Sequence, residues 1–372
     1  MSKAAELAKM GEVITNGQVG GRRNAVINGG FTVSQRIGTT LTASSNNTYT
    51  LDRWNYYLGG SCRNSTQQLV SDNAKVVALN TASGQTFNNA LLADCTTAAA
   101  ISTDDLLGYI QTIEGSNSVP LAGQVCTLSF YVQSSVAGRY YVALKIGSAR
   151  SYIASYDIDS ADTWERKTIT LTMDTLTELE DGGSITNGAG FQMHFTLRSS
   201  SSSQLTDSIN QWVDGNYYAK SGMAAWGTNI AHNWYLAGVQ LELGSQATPF
   251  EHRSYGEELA LCQRYFYRWE SSSTYAGVGV GRAYDTSNAV AMINTPCAMR
   301  ANATVSVSAV GDFAVAGIGG TPSSISNGER TTDFRSYKLT INQGSTPFTS
   351  GTIYQLESDN QANAKINFDS EL

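Results

Sequence analysis

Short stretches in which every second residue is apolar recur along this chain, and they leave few folds open. In 126–132, Leu128, Phe130 and Val132 are apolar at alternate positions. In 167–173, Ile169, Leu171 and Met173 alternate with threonines. A strand sends successive side chains to opposite faces, so each stretch reads as half-buried antiparallel strand. Further strands are expected at 49–57, 62–70, 75–79, 109–114, 139–146, 191–197 and 234–243, after a first short one from Asn24 to Phe31. Many short strands joined by Gly-, Asn- and Asp-rich turns predict a jelly-roll β-sandwich over 24–250.

Beyond the sandwich the pattern changes. Ser254 is placed to cap a helix, with Glu257 three residues on. A helix over 254–268 would put Leu261, Cys262, Tyr265 and Phe266 on one face. Strands resume at 278–284, 289–293, 304–310, 335–341, 351–355 and 364–368. The expected fold is therefore all-β. It comprises a short N-terminal docking segment (1–23), the jelly roll (24–250), a connecting helix (251–269) and a second, smaller β domain (270–372). Residues 2–10 read as an amphipathic helix with Leu7 and Met10 on one side, too short to stand alone, so this segment is expected to dock on a partner.

Composition narrows the function. Charged residues make up only 15% and the net charge is −7, with no Lys/Arg cluster, so no nucleic-acid partner is expected. There is no apolar stretch of membrane-spanning length and no apolar signal region at the start, so neither membrane insertion nor secretion is expected. The odd set Cys62, Cys95, Cys126, Cys262 and Cys297 lacks C-x-x-C spacing, which argues against a disulfide framework and a zinc site. Free thiols in a protein assembled in a reducing cytoplasm fit better. Low charge, and a helix face of Leu261, Cys262 and Tyr265 that one copy would leave uncovered, predict a homotrimer.

No catalytic residue, metal or cofactor is expected. His194, His232 and His252 lie mid-strand, in an aromatic loop and before the helix, without H-E-x-x-H spacing. The acids Asp104-Asp105 and Glu178, Glu180, Asp181 read as loop residues. Glu257-Glu258 suit a helix first turn, where the dipole favours negative charge. Aromatic residues carry more information, since a flat ring can stack on the C–H face of a sugar. In Tyr56-Tyr57 and Tyr140-Tyr141, alternate members are expected in the core. The long irregular segment 203–230 holds Trp212, Tyr217, Tyr218 and Trp226, which are the candidate glycan-binding residues. Tyr275 and Tyr284 mark a second candidate surface.

Three motifs carry a resemblance. They are GRRNAVINGG at 21–30 followed by Ser34-Gln35-Arg36, DRW at 52–54, and QLELGSQATPFEHR at 240–253 continued by EELALCQRY at 257–265. Together with Met299-Arg300-Ala301 and the closing INFDSEL at 366–372, they resemble a set of tailed-bacteriophage fibre and appendage proteins from about residue 20 to the end. The resemblance implies a virion structural protein assembled in the host cytoplasm. It would be a homotrimeric tail fibre or spike subunit, joined to other virion proteins through 1–23 and attaching to a host surface glycan. It leaves open a capsid decoration, head fibre or fibre joint without a host ligand, and, third, a glycan depolymerase. The first half of the chain is similar, more weakly, to carbohydrate-binding jelly rolls that begin NGGF and end in a strand with acidic residues that often hold calcium. Here Ala237-Gly238 stands where those acids would be, so calcium is not expected.

Overall fold

The structure, a computed structural model, describes residues 22–175, 187–317, 320–330, 333–344 and 346–372. The expected helix at 2–10, nearly all of the docking segment, and the acids Glu178, Glu180 and Asp181 lie outside the described residues. The chain divides into one unit running to Glu258, which also takes Leu372, and a second from Leu259 to Glu371.

In the first unit β1 (Thr42–Ala43), β2 (Thr48–Tyr49), β3 (Asn55–Gly59) and β4 (Arg63–Leu69) precede α1 (Ala74–Ser83). Next come β5 (Ala90–Thr97), β6 (Leu106–Glu114), β7 (Val125–Ser134), β8 (Gly138–Ile146), β9 (Arg150–Ile158) and β10 (Glu165–Thr172). β11 (Ala189–Ser199), β12 (Trp212–Asp214) and β13 (Asn233–Leu243) complete it. They form two antiparallel sheets, one ordered β1-β4-β5-β13-β7-β10 and the other β12-β9-β8-β11-β6-β3-β2. The expected sandwich is present. Ile169 of β10 stands opposite Leu128 of β7, and both enter the core. Phe130 meets Phe195 of the other sheet edge-on, with centroids 5.0 Å apart, a favoured aromatic geometry.

Three expected strands of this unit are corrected. Residues 75–79 belong to α1, because Asn73 accepts from the Lys75 N–H at 2.9 Å and Gly84 closes the far end in the left-handed conformation. Val76 and Leu79, one helical turn apart, pack on the outer face of the six-stranded sheet with Phe87, Tyr131, Trp164 and Tyr235. The stretch 49–57 is two strands, since Arg53 takes a positive φ of 70° and turns the chain between β2 and β3. Residues 24–31 form no strand, for a reason that belongs to the site described below. Four strands of this unit, β1, β5, β9 and β12, are not among the expected ones, although Tyr152, Ala154, Tyr156 and Ile158 alternate along β9.

The second unit opens in α2 (Tyr255–Gln263), which spans the division. The unit contains β14 (Phe266–Glu270), β15 (Gly277–Ala283), β16 (Asn288–Asn294), β17 (Thr304–Val307) and β18 (Phe313–Ala316). β19 (Ser324–Arg330), β20 (Ser336–Asn342), β21 (Ile353–Ser358) and β22 (Lys365–Asp369) follow. A three-stranded sheet β14-β22-β17 faces a six-stranded sheet β18-β21-β15-β16-β20-β19. Phe368 packs on Tyr337 at 4.9 Å and Trp269 on Phe313 at 6.4 Å across the core. The helix read as 254–268 ends at Gln263, and Phe266 to Glu270 pair with β22 instead. The run Phe-Tyr-Arg-Trp is β-branched-free but aromatic, and its edge pairing with β22 outweighs the helical period.

The trimer face is corrected too. Cys262 and Tyr265 are fully buried within the single chain, and the Tyr265 carbonyl accepts from the Ser370 N–H at 2.8 Å. Leu261 stays half-buried. None of the five cysteines is in a disulfide, four of them are buried, and burial pushes the Cys95 and Cys126 thiols up to about 12. No helix among the described residues is long and apolar enough to cross a membrane.

Candidate functional site

The sequence motifs converge on one hydrogen-bonded hub at the edge of the sandwich. β13 pairs with β5 only from Asn233 to Leu236, and a bulge follows between Ala237 and Gln240. Gly238 takes a φ of 57° there, and a Cβ would stand 2.7 Å from the Phe87 ring. Past the bulge, residues 24–29 replace β5 as the neighbour of β13. Ala25 N–H donates to the Leu241 carbonyl and Val239 N–H to the Gly29 carbonyl, both at 2.9 Å. The Asn24 side chain bonds Val239 and Leu241 in the manner of a backbone. Gly29 admits no side chain, since a Cβ would sit 2.1 Å from the Val239 oxygen. This side-chain substitution for a ladder is why 24–31 is not a regular strand.

Asn28 is the centre of the hub. Its side chain donates to the Val33 and Asp52 carbonyls, its carbonyl accepts from Trp54 Nε1, and its N–H donates to Glu258. Asp52 in turn receives Gln35. Arg253 donates to the carbonyls of Val26 and Asn24 and pairs with Glu251 at 3.0 Å and Glu258 at 3.4 Å. Glu251 receives the Arg23 and Asn24 N–H groups, and these bonds hold its carboxyl below the usual carboxylate range despite burial. The three motifs are thus parts of one structural lock.

Beside this lock is a cleft of about 110 Å³, lined among others by Phe87, Phe250, His252, Arg253 and Glu258. Phe87, Phe250 and His252 pack on one another with centroids 5.0–5.4 Å apart. The Arg253 side chain is 4% exposed, and its Nε–H is buried without a partner. Such a donor costs roughly 1–3 kcal/mol until it meets an acceptor. Phe250, Arg253 and Glu258 lie in the junction motif, but Phe87 and Asn88 carry no sequence signal pointing here.

The predicted glycan residues lie elsewhere, over the outer face of the seven-stranded sheet. Segment 203–225 crosses that face and is stitched to it. Asn210 N–H donates to Ile153, Gly215 to Ala149 and Ala224 to Arg139. Trp226 is 0% exposed and inside the sandwich core, which corrects its expected exposure: the segment dips inward there, and Arg198 holds the Trp226 carbonyl. Tyr217 is half-buried against Tyr141, Ala143, Ile153 and Ala219. Tyr218 is wedged between His194 at 5.1 Å and Tyr57 at 5.7 Å. Trp212, half-buried on edge strand β12, packs on Tyr152 and donates to the Thr172 carbonyl at 2.9 Å. The four are not one platform. Tyr275, 57% exposed, and Tyr284, 44% exposed, flank opposite ends of β15 and do not form one either.

Under Tyr218 lie two buried basic groups. The Lys145 ammonium sits 3.9 Å over the Tyr218 ring and donates to Asn216. Burial brings its pKa down to about 8. His194 is held well below its ordinary value by burial first and by Lys145 second. Both groups bind protons less readily folded than unfolded, so stability rises with pH wherever the unfolded chain alone is protonated. Stability should therefore fall as pH drops below about 6.5, the unfolded histidine value. It should climb from about pH 8 toward 10.5 for Lys145, until ionising unfolded tyrosines near pH 10 oppose it. Denaturant melts across pH 5–10 check this. In Lys145→Met the alkaline climb should vanish, and a climb that survives places its origin in another group.

His232 Nδ1 accepts from the Gly227 N–H at 3.1 Å, which makes it a loop brace. Asp105 lies in the loop before β6, as expected, and is buried there against the Arg198 guanidinium. Among the described residues no group of three His, Cys, Asp or Glu side chains comes together to hold a metal.

No family model matches the chain. No curated protein matches it either. Among solved structures, the chain is similar to the enzymatically active domain of tailspike protein 4 from bacteriophage CBA120, at 11% identity and a TM-score of 0.30. That match covers 59% of this chain but only 21% of the tailspike chain. It is also similar to a family 11 carbohydrate-binding module of a Clostridium thermocellum cellulase, at 14% identity over 58% of this chain and 100% of the module, with a TM-score of 0.28. A family 61 carbohydrate-binding module in complex with β-1,4-galactotriose matches at 10% identity over 60% of this chain and 99% of the module, also at 0.28. No function follows from shape matches this loose.

Proposed function

We propose that this chain is a structural subunit of a tailed-phage virion, a homotrimeric tail fibre or spike subunit that attaches to host surface glycan without cleaving it. The observation that carries this reading is the hub. The stretches resembling phage appendage proteins, far apart in sequence, meet in one bonded cluster around Asn28, Arg253 and Glu258. A resemblance confined to chance matches would not select the residues that hold one edge of a sandwich together. In this reading the chain assembles in the host cytoplasm, and residues 1–23 join it to other virion proteins.

The packing of Trp226, Tyr217 and Tyr218 favours a second reading, a decoration or fibre joint with no host ligand, because rings used in packing are withdrawn from recognition. Mass spectrometry of purified particles, light scattering of the isolated chain and a cell-adsorption assay separate these. The attachment reading expects the chain in particles, a trimeric mass, and glycan-dependent adsorption. Absence from particles, or a monomer at micromolar concentration, refutes the virion or trimer element. A particle-bound trimer that does not adsorb moves the protein to the joint reading.

A further inference from the structure

We infer that the cleft walled by Phe87, Phe250 and His252 takes the edge of one uncharged pyranose of a host glycan, an inference that rests on the attachment reading above. Three observations carry it. First, the half-buried Phe250 and the exposed His252, backed by the buried Phe87, offer an apolar face for sugar C–H groups. Second, residues that line the cleft carry polar groups with no partner. The Arg253 Nε–H is buried with no partner. Thr32, Asn88 and His252 line the cleft, and their side-chain polar atoms have no hydrogen bond among the described residues. An aromatic wall with a few convergent polar groups is the usual make-up of a small-ligand site. These groups include donors and acceptors, which suits hydroxyls that can do both.

Third, the charge balance selects against an acid. Arg253 is one cation between Glu251 at 3.0 Å and Glu258 at 3.4 Å, so an anionic ligand would face a surplus of negative charge. The size sets the limit at part of one ring, since about 110 Å³ does not hold an oligosaccharide. Gly30 also lines the cleft, with the Phe250 ring 3.4 Å from where a Cβ would be.

The test uses the full-length protein and a panel of methyl pyranosides with gluco, galacto, manno and N-acetylgluco configuration, with methyl glucuronide as the acidic probe. Saturation-transfer NMR and titration read binding, and thermal melting reads folding. At least one neutral pyranoside should bind with a dissociation constant on the order of 1 mM. Asn88→Ala and His252→Ala should each weaken it about tenfold, the effect of losing one hydrogen bond to the ligand, with the melting temperature unchanged for Asn88→Ala. The glucuronide should bind more weakly than its neutral counterpart. The inference is overturned if no neutral pyranoside binds at tens of millimolar, a concentration well above that constant. It is equally overturned if binding survives both substitutions or the glucuronide binds tighter. Glycan-dependent adsorption that ignores both substitutions removes the cleft and leaves the attachment reading standing. Pyranoside binding by a chain absent from particles supports the cleft and removes the virion reading instead.

Discussion

Replacing Trp226 by Ala should destabilise the protein by roughly 3–5 kcal/mol, the range for emptying a large aromatic site in a packed core. The ring is fully buried in the sandwich core, and its neighbours have little room to collapse. The backbone around it is anchored independently. Arg198 donates to the Trp226 carbonyl, and Gly227 accepts from the Ala99 N–H at 3.0 Å. The cavity should therefore persist rather than close. Chemical denaturation measures the loss, and adsorption at a temperature where the variant remains folded should match the parent protein. A variant that keeps its stability but loses adsorption would return Trp226 to the surface and to recognition.

Asp105→Ala should lose a similar amount, roughly 3–5 kcal/mol, because it strands a buried guanidinium. Arg198 and Asp105 meet at 2.6 Å with side chains 2% and 1% exposed. Arg198 also donates to the carbonyls of Ala99, Ala100 and Trp226, so it ties the segment after β5 and the 226 loop to β11. Arg198→Met removes the charge but orphans those carbonyls, and it too should destabilise. The pair shares one network, so the double variant should lose less than the sum of the single losses. Strict additivity in urea melts would mean that the ion pair does not act as a unit.

The cleft and the hub differ in how much of them could be read from residues alone. Asn24, Asn28, Asp52, Arg53, Trp54, Arg253 and Glu258 all stand in motifs visible in the chain. Their role was not visible, because a resemblance marks which residues matter and not what they touch. Phe87 reaches the cleft only because Gly238 bulges β13 beneath its ring. A bulge changes which face each later residue occupies, and its position depends on the partner strand. The aromatic residues of 212–226 failed as a group for a related reason. Composition shows that rings are present in a long segment, but whether the segment stands off the sheet or lies across it depends on non-local bonds such as Asn210 to Ile153.

What the sequence determined by itself is the all-β class, the strands whose alternation is clean, and the passage through a helix to a second β unit. These follow from local periodicity, since half-burial repeats every two residues in a strand whatever its partner. Tertiary structure alone decided the elements whose local signals were weak or divided. The apolar run at 75–79 became helix because Asn73 and Gly84 cap it and the outer face of the sheet accepts Val76 and Leu79. Phe266–Glu270 left the helical pattern because β22 offered a ladder. Cys262 and Tyr265, an apolar face awaiting sister copies when read along the chain, are covered by the chain itself. Alternation marks which side of a strand turns inward, but what covers a given face arrives from far away in sequence.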